Sequence, residues 1–595
     1  MKDEKDRWFN FLEQQAALHP DQTAVISTGG ETSYRELLNR VKNFSAWLVE
    51  HGVSRETPIA VCTDRSLPWV VAALGVLYSG GMYIPMDPMA PLQRKLGLLE
   101  DIGARLVLIG PHIPAVFPSS IELVRFHKDW PVASSAGKMP EIIPAQAAYG
   151  IHTSGSSGTP KSVIVSHESL DHYASALRRE LGLSSADRYL HMASLAFSAS
   201  IRHLMAPLVS GATVVIATRD EIQDPASLIS RMLQGGVTVF DTVPSYLLPW
   251  LAAVSESPRD WRERLASSLR IVLTTGEPLP ADTVKRVRSL FPNVRVLNLY
   301  GQTETTGTVA LHEPEATALE SIPIGGAFDP CQFYILDEQL SPASEGELYI
   351  SGPCLARGYQ SRPDMTASRF LADPFSGVPG SRMYRTGDRV RRLDDGLLEF
   401  KGRTDRQVKI HGIRIELGEI DAALLAHPDL QEATAVVRPV GGQDLRLVAF
   451  VVSRPGKSSL TVEELRAFLA QSLPEAMVPG TVVFLDQLPR TASGKIDRPA
   501  LMVADITPPV RKAPPAALRT QMEYLVAKCW EDTLGLTGLG VEDDFFALGG
   551  DSIQAMQMIL RLQKLLPVPV PLGDLFFEDP RLKAFAGAIE AQVGA

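Results

Sequence analysis

Cysteine is scarce: Cys62, Cys331, Cys354 and Cys529 are the only four in 595 residues, and none stands at the short spacing of a metal-binding pair. Neither a disulfide framework nor a zinc site is expected, and a reducing compartment, the cytoplasm, fits. Long apolar runs are missing too. No uninterrupted stretch of about 18 apolar residues occurs. The opening MKDEKDRWFNFLEQQ carries charges where a signal peptide needs an apolar centre, so neither a membrane span nor a secretion signal is expected. Positive charge is not in excess either. The formal net charge is −10, which argues against holding a phosphate backbone and so against nucleic acid as a partner.

What is present is an ordinary globular composition, 45% hydrophobic and 21% charged, in a chain too long for a single core. Three or four compact units are expected. From about residue 30 to 400, amphipathic helical stretches such as 34–50 alternate with short β-branched runs such as 213–217 and 237–240, an α/β pattern. From 406 to 501, strand-like runs at 433–438 and 446–452 accompany a helical stretch at 462–471, which predicts a small α+β unit. TPPVRKAPPAALRT then places four prolines close together and reads as a stiff linker. The remaining stretch has helical periodicity and predicts an all-α bundle. Its core would be drawn from Leu525, Trp530, Leu534, Phe545, Phe546, Ile553, Met556, Ile559 and Leu560. No internal repeat is evident.

Several polar stretches carry chemistry. Thr153-Ser-Gly-Ser-Ser-Gly-Thr-Pro-Lys161 follows the apolar run 148–151. Its glycines let backbone amides approach an oxyanion, its hydroxyls add donors, and Lys161 adds charge, although composition alone also suits a flexible connection. It is not a Walker loop, because Pro160 precedes the lysine. Asn298-Leu-Tyr-Gly-Gln-Thr-Glu-Thr-Thr-Gly307 follows a β-like run, so its polar groups emerge where open α/β sheets bind ligands, and an acid there suits magnesium. Tyr384-Arg-Thr-Gly-Asp388 and the charged stretch from Gly402 to Ile420 add polar turns, in which Asp388 suits a vicinal diol. Lys495 follows Gly494 in a segment with little side-chain bulk to obstruct its approach to an anion. Each of these, alone, also reads as a solvated loop.

In this order, with Thr32-Ser-Tyr-Arg-Glu-Leu37, Gly80-Gly-Met-Tyr-Ile-Pro-Met-Asp87, Gly346-Glu-Leu-Tyr-Ile350 and Leu355-Ala-Arg-Gly-Tyr359, these segments resemble the adenylation domains of nonribosomal peptide synthetases. Those belong with the acyl-CoA ligases, aryl acid ligases and luciferases. The resemblance covers nearly the whole chain. It implies a large α/β adenylation subdomain over 1–404, a mobile α+β C-terminal subdomain over 405–502, a proline-rich linker at 503–516 and a four-helix carrier domain over 517–595. It implies that Thr153, Ser154, Gly155, Ser156, Ser157, Gly158, Thr159 and Lys161 embrace the phosphates of ATP, with Gly276 also lining the nucleotide site. Asn298 and Tyr300 would contact adenine, Asp388 and Arg403 the ribose. Glu304, beside Thr303, would bind Mg2+, Lys495 would bridge phosphate and substrate carboxylate, and Asp405 would be the hinge. Rotation of the small subdomain would withdraw Lys495 and bring in the loop around Gly412.

Asp544-Phe-Phe-Ala-Leu-Gly-Gly-Asp-Ser552 resembles the attachment motif of peptidyl carrier proteins, making Ser552 the site of 4′-phosphopantetheine; a serine here is also a good helix N-cap. A phosphopantetheinyl transferase is then an implied partner. The chain lacks a His-His-x-x-x-Asp-Gly or Gly-x-Ser-x-Gly segment, so a condensation, tailoring or release enzyme acting in trans is expected, with a small MbtH-like activating protein a further candidate partner. A freestanding acyl-CoA ligase has no reason to append a carrier. A silent scaffold would have lost some of Lys161, Glu304, Asp388, Arg403 and Lys495.

For the acid itself, family spacing gives the pocket positions Phe197, Ser198, Ala199, Arg202, Asp241, Leu273, Thr275, Leu299, Gly307 and Thr308. Relatives that take α-amino acids carry aspartate where this chain has Ser198, which cannot pair with an α-ammonium. Either the substrate is an unusual amino acid with a displaced amine, received by Asp241, or with a polar side chain, the reading favoured here, or it is an aryl, keto, hydroxy or acyl acid. An Arg202–Asp241 ion pair would satisfy both charges without substrate. Gln302, where proline is common, has no explanation in the sequence.

Overall fold

The computed structural model describes residues 7–126, 130–133, 139–155, 160–315, 321–439, 445–456, 460–491, 493–504, 516–546, 548–550, 552–566 and 572–593. The α/β pattern folds into three sheets. The largest has nine strands, in spatial order Gly326–Ala327, Gly307–His312, Arg295–Gln302, Ile271–Thr274, Val239–Thr242, Arg188–His191, Thr213–Ile216, Thr23–Ser27 and Gly30–Ser33. Its central members run parallel. Val239–Thr242, Ile271–Thr274 and Thr213–Ile216 are buried at every position, as expected of parallel strands covered on both faces. A seven-stranded sheet carries Lys161–Ser166 and Ala147–Thr153 beside Met82–Met86, Pro58–Cys62 and Leu106–Ile109. The third sheet, of five strands, contains Arg382–Arg392 and Leu398–Arg403.

Local rules explain the element ends. The helix Tyr34–Glu50 begins where the Ser33 hydroxyl accepts from the Glu36 N–H, and it matches the expected 34–50. The expected 237–240 strand starts two residues later, at Val239. Gly236, in the left-handed region at φ 59°, ends the helix Pro225–Gly235, and the Val237 N–H is spent on the Met232 carbonyl in that helix's closing turn.

The next unit opens with the hairpin Gln407–Ile410/Ile413–Glu416 and the helix Leu417–Leu425. The antiparallel pair Leu430–Pro439/Leu445–Ser453 follows, and Thr481–Phe484 joins it in parallel. The helix Val462–Leu469 starts in a capping box of Thr461 and Glu464. Asp405 stands between the end of the large unit's last strand and the first strand of this hairpin. Of the expected 503–516 linker, 505–515 lie outside the described residues.

The carrier is a bundle of Gln521–Leu534, Ser552–Leu565, Leu572–Glu578 and Leu582–Val593. Trp530, Phe545 and Phe576 meet edge to face at its centre, an arrangement favoured by their ring quadrupoles. The expected core differs at two positions. Met556 and Leu560 leave the bundle and pack on the large unit's cluster around Trp250 and Leu251, while Ile559 and Leu562 face the carrier interior. A helix clamped between two bodies shows two apolar faces, and periodicity alone assigns both to one core. Ile553 has no described side chain.

That packing seats the carrier on both other units. Lys564 pairs with Glu256 of the large unit at 2.5 Å. Arg446 of the small unit donates to the carbonyls of Leu534 (2.7 Å) and Thr533 (2.9 Å), and Arg466 to that of Phe546 (2.6 Å). Gly549, at φ 94°, packs directly on Gly480, where a Cβ on either glycine would collide with the other's backbone. Among the described residues no helix is long and apolar enough to cross a membrane.

Candidate active site

The Ser/Gly-rich loop expected to embrace phosphate leaves the sheet at Thr153 and returns at Lys161, residues paired in register on antiparallel strands. Thr153 Oγ1 donates to the Lys161 carbonyl at 3.3 Å and closes the neck. Ser156, Ser157, Gly158 and Thr159 lie outside the described residues. Lys161 is buried with Nζ 4.4 Å from the centre of the Tyr359 ring. Burial, then Arg414, pull its ammonium down to about 8 against the opposing effect of Glu304.

Glu304 sits in the turn Thr303–Thr305 that reverses the chain between two strands, and it is completely buried. One carboxylate oxygen receives Arg414 Nη1 at 2.6 Å, the other the Tyr359 hydroxyl at 2.9 Å. Burial alone would raise its pKa, but Arg414 and Lys161 outweigh that and hold it well below the usual carboxylate range. No cluster of three or more metal-ligating residues exists among the described residues. Glu304, a buried carboxylate near Lys161, suits an ion such as Mg2+ that takes one protein carboxylate together with substrate phosphate oxygens and water, in an arrangement where Arg414 has withdrawn.

Arg414 belongs to the small unit, and its neighbours close over the same loop. Ser154 Oγ donates to the Arg414 carbonyl (3.1 Å) and accepts from the Glu416 N–H (3.2 Å). The Gly155 N–H reaches Glu419 at 3.3 Å, and Arg94 holds the other Glu419 oxygen at 2.6 Å. Behind this contact a cavity of ≈ 720 Å³ opens between the units, lined by Arg94, Asp101 and His152 on one side and Glu419 and Ser472 on the other. The hairpin tip reaches deepest: the Gly412 N–H donates to Glu277 at 2.7 Å. A Cβ on Gly412 would lie 2.4 Å from Val243, so only glycine fits there, beside Gly276 at φ 86°.

Asp388 and Arg403 face each other across paired strands and form an ion pair. The other Asp388 oxygen accepts from the Tyr300 hydroxyl and from Gln302 Nε2, each at 2.6 Å. Gln302 also accepts from the Tyr384 hydroxyl at 3.0 Å, which explains a glutamine here: it supplies both a donor and an acceptor to a buried polar cluster. Arg403 continues to Asp405 at 2.7 Å, and Arg369 braces Asp405 at 3.2 Å. Asn298 donates to the carbonyls of Ile322 (3.3 Å) and Pro323 (2.9 Å).

Among the residues expected to line the acid pocket, Ser198 opens the helix Ser198–Val209 and its hydroxyl accepts from Thr303 at 3.5 Å. Phe197, just before it, is largely exposed for an aromatic residue, whereas Leu273 and Leu299 are buried. Asp241 is a carboxylate in an otherwise sealed strand and must find partners there. Arg202 supplies two, through Nε (2.7 Å) and Nη2 (3.0 Å), while its Nη1 donates to Thr308 (3.0 Å). His203 approaches at 3.1 Å, and the Tyr189 hydroxyl donates to the same carboxylate. Burial disfavours the anion, but Arg202 and then His203 outweigh it and hold Asp241 well below the usual carboxylate range; burial lowers the His203 pKa against the opposing pull of Asp241. The favoured reading, in which Asp241 receives an amine, meets an acceptor whose oxygens are already taken. Arg202→Ala leaves this anion uncompensated and is expected to lower stability by about 3–5 kcal/mol, read from the urea midpoint.

The expected site residues divide into groups. Glu304, Lys161, Thr153 and Ser154 come together under the small unit, and Asp388, Arg403, Tyr300 and Asp405 form one network. Lys495 does not join them: it is exposed, in a loop closed by an Arg490–Ile496 bridge and tied to Glu432 through Arg490. Ser552 is the first residue of its helix. Sequence reasoning missed Glu277, Glu419, Arg94, Tyr189 and His203. Arg414 and Glu419 lie in the charged 402–420 stretch and were within reach; a tyrosine in a strand and a histidine in an apolar helix gave no signal.

Three family models match in chain order: AMP-binding enzyme over 12–360, AMP-binding enzyme C-terminal domain over 419–495, and phosphopantetheine attachment site over 525–589. The dimodular nonribosomal peptide synthase of Bacillus subtilis (strain 168) is 36% identical over 591 residues, covering 98% of this chain and 24% of the relative. Tyrocidine synthase 1 of Brevibacillus parabrevis is 36% identical over 560 residues, covering 93% and 50%. The chain thus spans half or less of these curated relatives. Among solved structures, holo-PA1221, an NRPS protein containing adenylation and PCP domains bound to a vinylsulfonamide inhibitor, superimposes with a TM-score of 0.80 at 26% identity, covering 98% of this chain and 96% of that one. The order of elements and the appended helical bundle agree with these matches: the chain belongs to the AMP-binding enzyme family, the adenylate-forming ligases, as an adenylation unit fused to a carrier domain.

Proposed function

We propose that this chain activates a carboxylic acid with ATP and loads it onto its own carrier domain, for use in nonribosomal peptide assembly. The observation that carries the reading is the simultaneous seating of hairpin and carrier: Arg414 lies on Glu304, Gly412 on Glu277, and the Ser552 helix against the large unit. This is the geometry expected for the second half of the reaction. Covalent linkage keeps the carrier at high effective concentration.

In the first half, the substrate carboxylate attacks the α-phosphorus of ATP and pyrophosphate leaves. The buried Lys161 and the loop amides would hold the phosphates, Asp388 the ribose, and Lys495, brought in by rotation at Asp405, the charge that develops between carboxylate and phosphate. Mg2+ bound through Glu304 would supply further charge to the same phosphates. In the second half AMP leaves and the acyl group passes to the carrier. Phosphopantetheine on Ser552 supplies the accepting thiol. With the hairpin docked, Arg414 would neutralise Glu304, and the missing side chain of Gly412 would let the hairpin tip pack closely on Val243 and Gly276.

Two partners follow from that chemistry, a phosphopantetheinyl transferase and a downstream enzyme acting in trans; a small MbtH-like activating protein is a further candidate. The four free cysteines support a cytoplasmic location. The test is Arg414→Ala. Because the arginine meets Glu304 only when the hairpin is docked, loading of the carrier is expected to slow by about tenfold or more, the effect of losing one charge-assisted contact. ATP–pyrophosphate exchange should hold near its original rate. An equal loss in both assays contradicts a role confined to the second half.

A further inference from the structure

We propose that the acid this pocket takes is a short 2-hydroxy or 2-oxo acid, selected by Ser198 at the mouth and by the Arg202–Asp241 bridge as a fixed floor. The inference rests on the adenylation reading above and names the substrate class of that site.

Ser198 and Arg202 are four residues apart on one helix and share a face, one turn or about 5.4 Å from each other. Ser198 lies beside the reacting end, since its hydroxyl touches Thr303, the neighbour of Glu304. One turn deeper, the Arg202 side chain crosses from its helix to Asp241 on one strand and Thr308 on another. An arginine held at three elements, 3% exposed, and facing a carboxylate that is 0% exposed is a wall and not a swinging gate. The side wall is tight as well. Gly307 has φ 124°, and a Cβ there would sit 2.7 Å from the Tyr173 hydroxyl. A floor only one helical turn, about 5.4 Å, below Ser198 limits the length of acid that can lie above it.

Charge then decides what stands at C2. Asp241 is the sole carboxylate among the pocket positions, and Arg202, His203 and Tyr189 occupy it. Glu277, just past Thr275, is taken by the Ser245 hydroxyl and the Gly412 N–H. Glu304 is taken by Arg414 and Tyr359. An ammonium at C2 would lose its water to a neutral pair of hydroxyls, Ser198 and Thr303, with the Arg202 cation the next group below. A hydroxyl or carbonyl oxygen at C2 can pair with those same hydroxyls at no charge cost.

The experiment is ATP–pyrophosphate exchange on the full chain with isosteric sets: lactate, pyruvate and alanine, then 2-hydroxyisovalerate, 2-oxoisovalerate and valine. The hydroxy or oxo acid is expected to exceed its amino isostere in kcat/KM by about 100-fold, the scale set by an unmatched polar group in a binding site. Ser198→Asp should reverse that order. The double variant Arg202→Ala/Asp241→Ala removes both charges together, so no buried ion is left alone, and should extend use to longer acids such as 2-oxooctanoate. Preference of the unaltered chain for alanine or valine overturns the inference and leaves the ligase reading intact. Exchange with no acid in a larger pool, while Ser552 still accepts phosphopantetheine, contradicts the ligase reading itself and the inference with it.

Discussion

Lys495→Ala is expected to slow ATP–pyrophosphate exchange by about two to four powers of ten, the usual consequence of removing a fixed charge aimed at a charged transition state. Fold stability should change by no more than about 0.5 kcal/mol, because the lysine is exposed, in a loop closed by backbone contacts and by Arg490. Transfer of the acyl group from a supplied acyl-adenylate to the carrier should be unaffected, since that step belongs to the arrangement in which Arg414, and not Lys495, meets Glu304. Separate assays of the two half-reactions check this. Equal impairment of both would mean that Lys495 acts on something common to the two steps.

Ser552→Ala should abolish phosphopantetheine attachment and acyl loading outright while exchange continues at its normal rate. The serine begins the second carrier helix, whose Met556 and Leu560 pack on the large unit around Trp250. Met556 and Leu560, which make that packing, are unchanged in the variant. Mass measurement of the chain before and after treatment with a phosphopantetheinyl transferase reads the first effect, and exchange kinetics the second.

Much of this was legible in the sequence because local rules and chemistry coincide. The helix Tyr34–Glu50 begins and ends where its cap and periodicity say, and Glu304 emerges in a turn at a strand end as expected; Asp388, expected in a polar turn, instead lies inside the strand Arg382–Arg392, and Arg403 is the last residue of Leu398–Arg403. What could not be read depends on contacts between distant segments. Gln302 makes sense only once Tyr384 and Asp388, more than 80 residues away, are brought to it. Met556 and Leu560 look like carrier core because an apolar face carries no label saying which body covers it. The occupancy of Asp241 was visible as an alternative, an ion pair with Arg202, yet its two further partners are residues that any core might contain. The position of Lys495 relative to Glu304 is set by how the small unit is docked, a property of the assembled chain and of no single segment.

Self-loading is tested most directly by weighing the intact phosphopantetheinylated chain after incubation with ATP, Mg2+ and acid. The account predicts a mass increase equal to the acyl group in the unaltered chain, dependent on ATP, absent from Ser552→Ala and greatly slowed in Lys495→Ala. A chain that exchanges pyrophosphate with the same acid yet never gains that mass, its carrier arm remaining bare, would contradict it.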